Sequence, residues 1–203
     1  MEKVELIGYY GSDITHAQSA WTSTTRELTT DKLERIDKLL AFLASHGHHT
    51  PFEKSTFHFL VDVDQATHIH LLKHRIGVSI NGESARYKEL KEDKFLIPED
   101  WPEGMQELLE DWSKMTNSKY HEAIEILEPV LGRKRAKESA RFFKMFNSQI
   151  TMDISFNFRS FYHFYNLRAK EDAQLEVREL AKQMLKLIRE TGDFDKTLKA
   201  FKL

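Results

Sequence analysis

Ile150-Thr151-Met152-Asp153-Ile154-Ser155-Phe156-Asn157-Phe158 alternates apolar and polar residues without a break. A period of two places Ile150, Met152, Ile154, Phe156 and Phe158 on one face of an extended chain and the polar residues on the other, which is the pattern of a half-buried strand. The spacing predicts a helix immediately afterwards, from Arg159 to Arg168, with Asn157 at the junction, where its side chain caps that helix or contacts a ligand. Two more strands read outward from this one. Thr56 to Val63 sets Phe57, Phe59, Val61 and Val63 against His58 and Asp62, and Val4 to Tyr10 forms a first strand.

The rest of the chain is patterned as helix. A helix starting at Asp31 carries Leu33, Ile36, Leu39, Leu40 and Leu43 and ends at His46-Gly47. A short helix from Asp64 to about Arg75 places His70 and His74 on one face. Glu103 to Phe146 is helical with a break from Pro129 to Gly132, and a last helix from Asp172 to about Glu190 has Leu175, Leu180, Met184, Leu187 and Ile188 as its buried stripe. This mix of elements indicates an α+β fold. With 203 residues, no internal repeat, no Gly/Ser-rich linker and only four prolines, a single domain over 1–203 is expected.

Composition removes several classes of function. The 30 basic and 32 acidic residues give a net charge of −2, which argues against a general nucleic-acid binder. Cysteine is absent, so disulfides, thiolate metal sites and thiol nucleophiles are impossible. No apolar run approaches membrane-spanning length, and the start Met1-Glu2-Lys3-Val4-Glu5-Leu6 lacks a signal-peptide pattern, so a cytoplasmic location and no membrane partner are expected. His46, His48 and His49 cluster and His68 and His70 alternate, yet no acidic residue completes a ligand pattern, so no metal is expected.

The densest chemistry lies in Lys73-His74-Arg75 followed by Asn81-Gly82-Glu83-Ser84-Ala85-Arg86-Tyr87, where cations, an imidazole and a hydroxyl crowd into fifteen residues. Such donors suit phosphate. Taken singly, His74 and Arg75 are also explained as cations in the last turn of a helix, and Arg141 as part of a solvated helix face. The aromatic run Phe156, Phe158, Phe161, Tyr162, Phe164 and Tyr165 reads as core before it reads as a stacking platform.

Together with His48-His49-Thr50-Pro51-Phe52-Glu53 and Asn166-Leu167-Arg168-Ala169, these motifs resemble the flavin-dependent thymidylate synthases, from about Ser23 to Gln174. The family hallmark reads Arg-His-Arg, a spacer, then Ser-x-Arg-Tyr. Here Lys73 stands for its first arginine, His70 for a glutamine, Asp172 for a frequent histidine and His163 for a common asparagine. Gly82 falls where a glutamate is common, Glu83 follows it, and the spacer after Arg75 is one residue longer.

The resemblance implies an antiparallel sheet flanked by helices, of the thymidylate synthase complementing protein type. It also implies methylation of dUMP with methylenetetrahydrofolate as carbon donor, FAD as the hydride-carrying cofactor, and NADPH as reductant. Arg141 and Arg86 would meet the nucleotide phosphate with Ser84 beside them, and His70, Lys73, Glu83, Ala85 and Leu167 would complete the substrate site. Arg168 would be catalytic, at the edge of the uracil ring. Thr50, Lys73, His74, Arg75, Asn157 and Arg159 would line the FAD site with His163, Ser23 and Asn81, and His48 would lie near flavin and folate. A homotetramer with composite active sites is implied as well. Two other readings stay open: a same-fold enzyme acting on C5 of another pyrimidine nucleotide, for example by hydroxymethylation, and a non-catalytic flavin- or nucleotide-binding homologue.

Overall fold

The computed structural model describes residues 3–25 and 27–203; Met1, Glu2 and Arg26 lie outside the described residues. In chain order the elements are β1 (Lys3–Tyr10), α1 (Asp13–Trp21), α2 (Thr30–Glu34), α3 (Ile36–Ser45), β2 (Thr56–Asp64) and α4 (Gln65–Leu71). There follow β3 (Val78–Gly82), α5 (Glu103–Leu131), α6 (Arg133–Ala140), β4 (Gln149–Phe156), α7 (Phe158–Arg168), α8 (Leu175–Glu190) and α9 (Asp195–Ala200). The strands form one antiparallel sheet in the order β1-β2-β4-β3, so the fold is α+β.

The alternation in β2 and β4 is realised as expected. Ile150, Met152, Ile154 and Phe156 are at most 5% exposed while the residues between them are half-buried, and Phe57, Phe59, Val61 and Val63 are buried likewise in β2. Four helical expectations need correction. The helix begun at Asp31 divides at Arg35 into α2 and α3, and only Ile36, Leu40 and Leu43 of the expected stripe are buried. The short helix stops at Leu71, so His74 is not on it. The middle helix runs through Pro129, which gives up one helical hydrogen bond, and breaks at Gly132, whose φ of +75° ends it. The following helix ends at Ala140, and only a 3₁₀ turn over Arg141–Phe143 succeeds it. In α8 the buried stripe is Val177, Leu180, Ala181, Met184, Leu185 and Ile188, with Leu175 and Leu187 at its margin.

The described residues group into two compact units. The first holds Lys3, residues 61–72 and residues 81–152. Its helical core is Tyr120, Ala123, Ile124 and Ala140, with Leu90 and Leu127 packed against them. The second holds residues 4–60, 73–80 and 153–203 and is built on phenylalanine. Ring centroids lie 4.7 Å apart for Phe52 and Phe201, 4.9 Å for Phe57 and Phe194, and 5.2 Å for Phe156 and Phe164, so the aromatic run of β4 and α7 is core, as its spacing suggested.

One polar chain crosses this aromatic core. Thr197 Oγ1 donates to Asp13 Oδ1 at 2.6 Å, which leaves its lone pairs for His16 Nδ1 at 3.0 Å; Ser55 Oγ completes the chain at 2.9 Å from Nε2. Nδ1 therefore donates to Thr197, and in the neutral ring Nε2 accepts from Ser55, which satisfies both hydroxyls without a buried charge. Burial acts the same way, lowering the His16 pKa from 6.5 to about 4.

A pH dependence follows from this neutral, buried ring. The folded-state pKa is depressed, so the contribution is complete above pH 6.5 and is lost progressively as the pH falls to about 4, because only the unfolded chain binds the proton in that window. The size is roughly 3 kcal/mol. Denaturant unfolding of the wild type and of His16→Gln at steps through this range should give curves that converge as the pH falls; parallel curves would show that His16 carries no such linkage.

Candidate functional site

Each unit contains a cavity lined by residues that the sequence singled out. The first unit holds one of about 360 Å³, walled by Glu83, Ser84, Ala85 and Arg141 together with His68 and Lys144. Local chemistry explains its walls. The Asp64 carboxylate accepts from the backbone N–H of Ala66 at 2.8 Å and of Thr67 at 3.0 Å, starting α4 so that Gln65, His68 and Ile69 share the face turned to the cavity. After β3, Glu83 donates its N–H to the Thr151 carbonyl and accepts the Thr151 N–H on its own carboxylate at 2.8 Å, so side chain and backbone together extend the pairing with β4. Burial pulls the Glu83 carboxyl pKa up, but the hydrogen bonds from Lys88 and Thr151 outweigh it and the net shift is downward.

The cations of this unit differ in what already holds them. Lys144 is almost wholly buried and committed: its ammonium donates to Asp93 at 2.9 Å and Asn117 at 2.7 Å, and lies 4.4 Å from the centre of the Tyr120 ring. Arg86 is paired with Glu138 at 2.9 Å, rests over Tyr87 and does not line the cavity. Arg141 is exposed at the end of α6, and among the described residues no carboxylate pairs with it. His68 is kept toward its neutral form by burial. It occupies the place expected of His70, because on a helix starting at Gln65 positions 65, 68 and 69 turn together and position 70 does not.

The second unit holds a cavity of about 400 Å³ at the start of α7. Asn157 caps that helix, accepting from the Ser160 N–H at 2.8 Å, and Ser160 Oγ donates to the Gly77 carbonyl at 2.7 Å. Gly77 has φ +68°, and a Cβ there would stand 2.6 Å from Asn157 Nδ2, so glycine is what lets the turn lie in the cavity wall. Arg159, Tyr162, His163 and Asn166 follow at helical spacing, with His49 opposite and the Arg159 guanidinium paired to Glu53. A capped helix N-terminus with a guanidinium and two imidazoles is a donor set suited to an anionic, hydrogen-bonding ligand.

The remaining expected residues line neither cavity. Ser23 bonds its own helix end at the Ala20 carbonyl, His48 stacks near Phe42, and Thr50 opens the 3₁₀ turn Thr50–Glu53. Lys73 and Arg75 are exposed in the turn before β3, where Asn81 also lies exposed near the strand's end. His74 is buried and its Nε2 accepts the Arg168 Nε–H at 3.0 Å, so motifs ninety-four residues apart meet; Leu167 is exposed beside them. Gln65, His68, Lys144 and Tyr162 are cavity residues that the sequence reading missed. Helical spacing from a correctly placed α4 start signals the first two, whereas nothing local signals Lys144, whose position comes from tertiary partners. Among the described residues no cluster of histidine and carboxylate has the form of a metal site, and no helix is long and apolar enough to cross a membrane.

The chain is similar to known proteins over most of its length. Residues 5–191 match the family described as thymidylate synthase complementing protein. A flavin-dependent thymidylate synthase of Thermotoga neapolitana is 32% identical over 92% of this chain and 85% of its own length, and one of Pyrococcus furiosus is 31% identical over 100% and 85%. Among solved structures, the UMP/dUMP methylase PolB from Streptomyces cacaoi bound with 5-Br dUMP superposes with a TM-score of 0.78 at 24% identity, covering 100% of this chain and 95% of that one. Its complex with 5-Br UMP gives 0.77 at 23%, covering 100% and 94%. The fold is therefore shared.

The Gly77 turn yields a structural test. Gly77→Ala should lower stability by about 1–3 kcal/mol, since the alanine is held at positive φ with its Cβ against Asn157. Asn157→Ala should lose about 1 kcal/mol of capping. In the double variant the losses should fall short of their sum, because removing the Asn157 amide relieves the clash; strict additivity in denaturant unfolding would show that the two residues do not contend for the same space.

Proposed function

This chain belongs to the thymidylate synthase complementing protein family, and from that membership and its two donor-lined cavities we propose that it is a flavin-dependent thymidylate synthase. Its reaction is the reductive methylation of dUMP: the uracil C5–H proton leaves, C5 bonds to the methylene carbon of methylenetetrahydrofolate as that carbon's two bonds to folate nitrogens break, tetrahydrofolate departs, and a hydride completes the methyl group. FADH2 supplies that hydride when bound, and NADPH restores the reduced flavin. The observation that carries the reading is Arg141, an exposed guanidinium without a carboxylate partner among the described residues, on the wall that also holds Ser84 and Ala85.

On this reading Arg141 binds the nucleotide phosphate and Ser84 donates its hydroxyl beside it, with Glu83 and His68 bounding the pyrimidine end. Arg86 must leave Glu138 to take part, so it is the weaker phosphate ligand. The second cavity holds part of the flavin: its polar groups fit the phosphates and ribityl hydroxyls, with Asn157, Arg159, His163 and His49 as donors or acceptors. Lys73, Arg75, Thr50, Asn81, Ser23 and His48 are assigned to the flavin as well, and His70 and Leu167 to the substrate.

Arg168 stabilises the negative charge that develops on the pyrimidine as C5 becomes nucleophilic. No cysteine exists to form a covalent adduct, so the activation is electrostatic. His74 holds the Arg168 side chain in orientation through its Nε–H. The chain acts as a homotetramer with composite active sites in the cytoplasm, and one feature supports association: α5 exposes Met105, Leu108, Trp112 and Met115 at alternating spacings of three and four, a seam that fits another helix. The fold shared with a UMP/dUMP methylase favours one second reading, methylation of UMP as well as dUMP.

The two arginines separate binding from chemistry. Arg141→Ala should raise the KM for dUMP and leave kcat near its original value, whereas Arg168→Ala should retain flavin and lower kcat by roughly 10²–10³. Single-turnover oxidation of the reduced protein with saturating dUMP and methylenetetrahydrofolate decides the second; an unchanged rate refutes the role given to Arg168. Parallel assays with UMP identify the substrate range. Arg159→Ala should weaken FAD binding at least about tenfold in a fluorescence titration, and undiminished affinity would remove the second cavity from the flavin site.

A further inference from the structure

The segment from Glu83 to Lys94 contributes Ser84, Ala85 and Leu90 to the first cavity, yet it forms neither helix nor strand. Its two ends are tied to β4, and the stretch between them is fastened by a group of polar contacts around His121 of α5. The ring stands between two carboxylates of the segment: Nδ1 is 2.8 Å from Glu89 Oε1, and Nε2 is 3.0 Å from Asp93 Oδ2. A carboxylate only accepts, so both contacts are hydrogen bonds only if both ring nitrogens carry protons, that is, if His121 is an imidazolium. A neutral ring satisfies one carboxylate and turns a lone pair on the other.

The neighbouring charges do not replace this link. Arg133 of α6 reaches Glu89 at 3.0 Å but is shared with Glu128, and Lys144 reaches Asp93 at 2.9 Å. The backbone of the segment is also held by Tyr120 Oη accepting the Leu90 N–H and Asn117 Nδ2 donating to the Asp93 carbonyl, both at 3.0 Å, by Lys137 Nζ donating to the Tyr87 carbonyl at 2.6 Å, and at its two ends by the Thr151 carbonyl and the Gln149 N–H, each at 2.9 Å. Asp93 sits at φ +49°, a conformation that a non-glycine residue adopts at a cost and keeps only while its contacts hold. Among the described residues, His121 is the one partner that grips both ends of the Glu89–Asp93 stretch.

We propose that His121 is a positioning residue for nucleotide binding: as an imidazolium it fastens the Glu83–Lys94 segment on the first cavity, and losing its proton loosens the segment and weakens the hold on the nucleotide. The binding half of this inference rests on the nucleotide reading of that cavity. The sign is fixed by the geometry, since the cation is what both carboxylates need; attachment is favoured at lower pH and released as the pH rises.

The test uses full-length, flavin-loaded protein and two readouts across about pH 6 to 8.5. Backbone hydrogen exchange of residues 84–93, expressed as protection factors, reports the clamp without any nucleotide. The wild type should lose protection as the pH rises, His121→Gln should be unprotected throughout, and His121→Arg, which keeps the charge, should stay protected with little pH dependence. Calorimetric titration with dUMP should show wild-type affinity falling by roughly tenfold more than that of His121→Arg over the same range, the comparison removing the titration of the phosphate itself. KM, more than kcat, should carry the effect in turnover. Wild-type protection and pH profile in His121→Gln overturn the proposal. If the segment responds as stated but dUMP binds at no pH, the clamp stands and the nucleotide reading falls with the binding half; if dUMP binds in an Arg141-dependent way and His121→Gln matches the wild type, the clamp falls alone. The wild-type pH profile decides the matter even where a variant fails to fold.

Discussion

Strand β4 has a neighbour on each side and two different faces, and both faces constrain what surrounds them. Its apolar side buries Ile150, Met152, Ile154 and Phe156 almost completely. At about 25 cal/mol per Å² of apolar surface, each such side chain contributes on the order of 2 kcal/mol, so the alternation cannot slip by one residue without reversing that burial along the whole strand. A fixed register then fixes what the polar side meets. Thr151 Oγ1 donates to Asp62 at 2.5 Å and receives the Lys94 ammonium at 2.7 Å, while the backbone of the same residue pairs with Glu83. Burial raises the Asp62 carboxyl pKa, but these two donors outweigh it and the net shift is downward. One threonine thus ties the start and the end of the Glu83–Lys94 segment to a strand that cannot move.

The end of β4 works in the same way. Phe156 and Phe158 are both buried, and Asn157 between them is left to turn its side chain onto the first N–H groups of α7. The strand therefore passes into a helix with no loop, and the helix face bearing Arg159, Tyr162, His163 and Asn166 is set by where the strand stops. Gly77 closes the arrangement by bringing its carbonyl to Ser160, an approach that a side chain at Gly77 would block.

These dependences explain what could be read from the sequence. The period-two runs of β2 and β4 were legible because burial on one face writes itself directly into residue type, and Asn157 because its place between strand and helix periods marks a cap. The hallmark motifs were legible as donors of the right kind in the right order. The stop of α4 at Leu71 was hidden, since Leu72, Lys73 and His74 all continue a helical pattern and only the turn through Gly77 prevents it. The clamp on Glu89 and Asp93 was hidden for another reason: His121 and Lys144 are about thirty and fifty residues away from Asp93 in the chain, and each reads locally as an ordinary polar residue on a solvated face. Helix α9 escaped notice because its six residues are too few to show a period, and its start depends on Asp13 accepting the Lys196 and Thr197 N–H groups from far away in sequence.

The three arginines of the proposed reaction show how local pairing sorts groups of identical chemistry into different work. Coulomb attraction to a neighbouring carboxylate is already spent on Glu138 in the case of Arg86, so a phosphate must displace that partner and gains only the difference. Arg141 has no carboxylate to displace among the described residues, so the whole of its attraction is open to an incoming anion, less the cost of ordering an exposed side chain. Arg168 donates its Nε–H to a neutral acceptor, the His74 ring, which orients the guanidinium. A donor that is oriented in advance needs little reorganisation when charge develops before it, which is the condition for stabilising a transition state in preference to a bound substrate. In a chain without cysteine, such an oriented guanidinium would, on the proposed reading, do electrostatically the work of a covalent nucleophile.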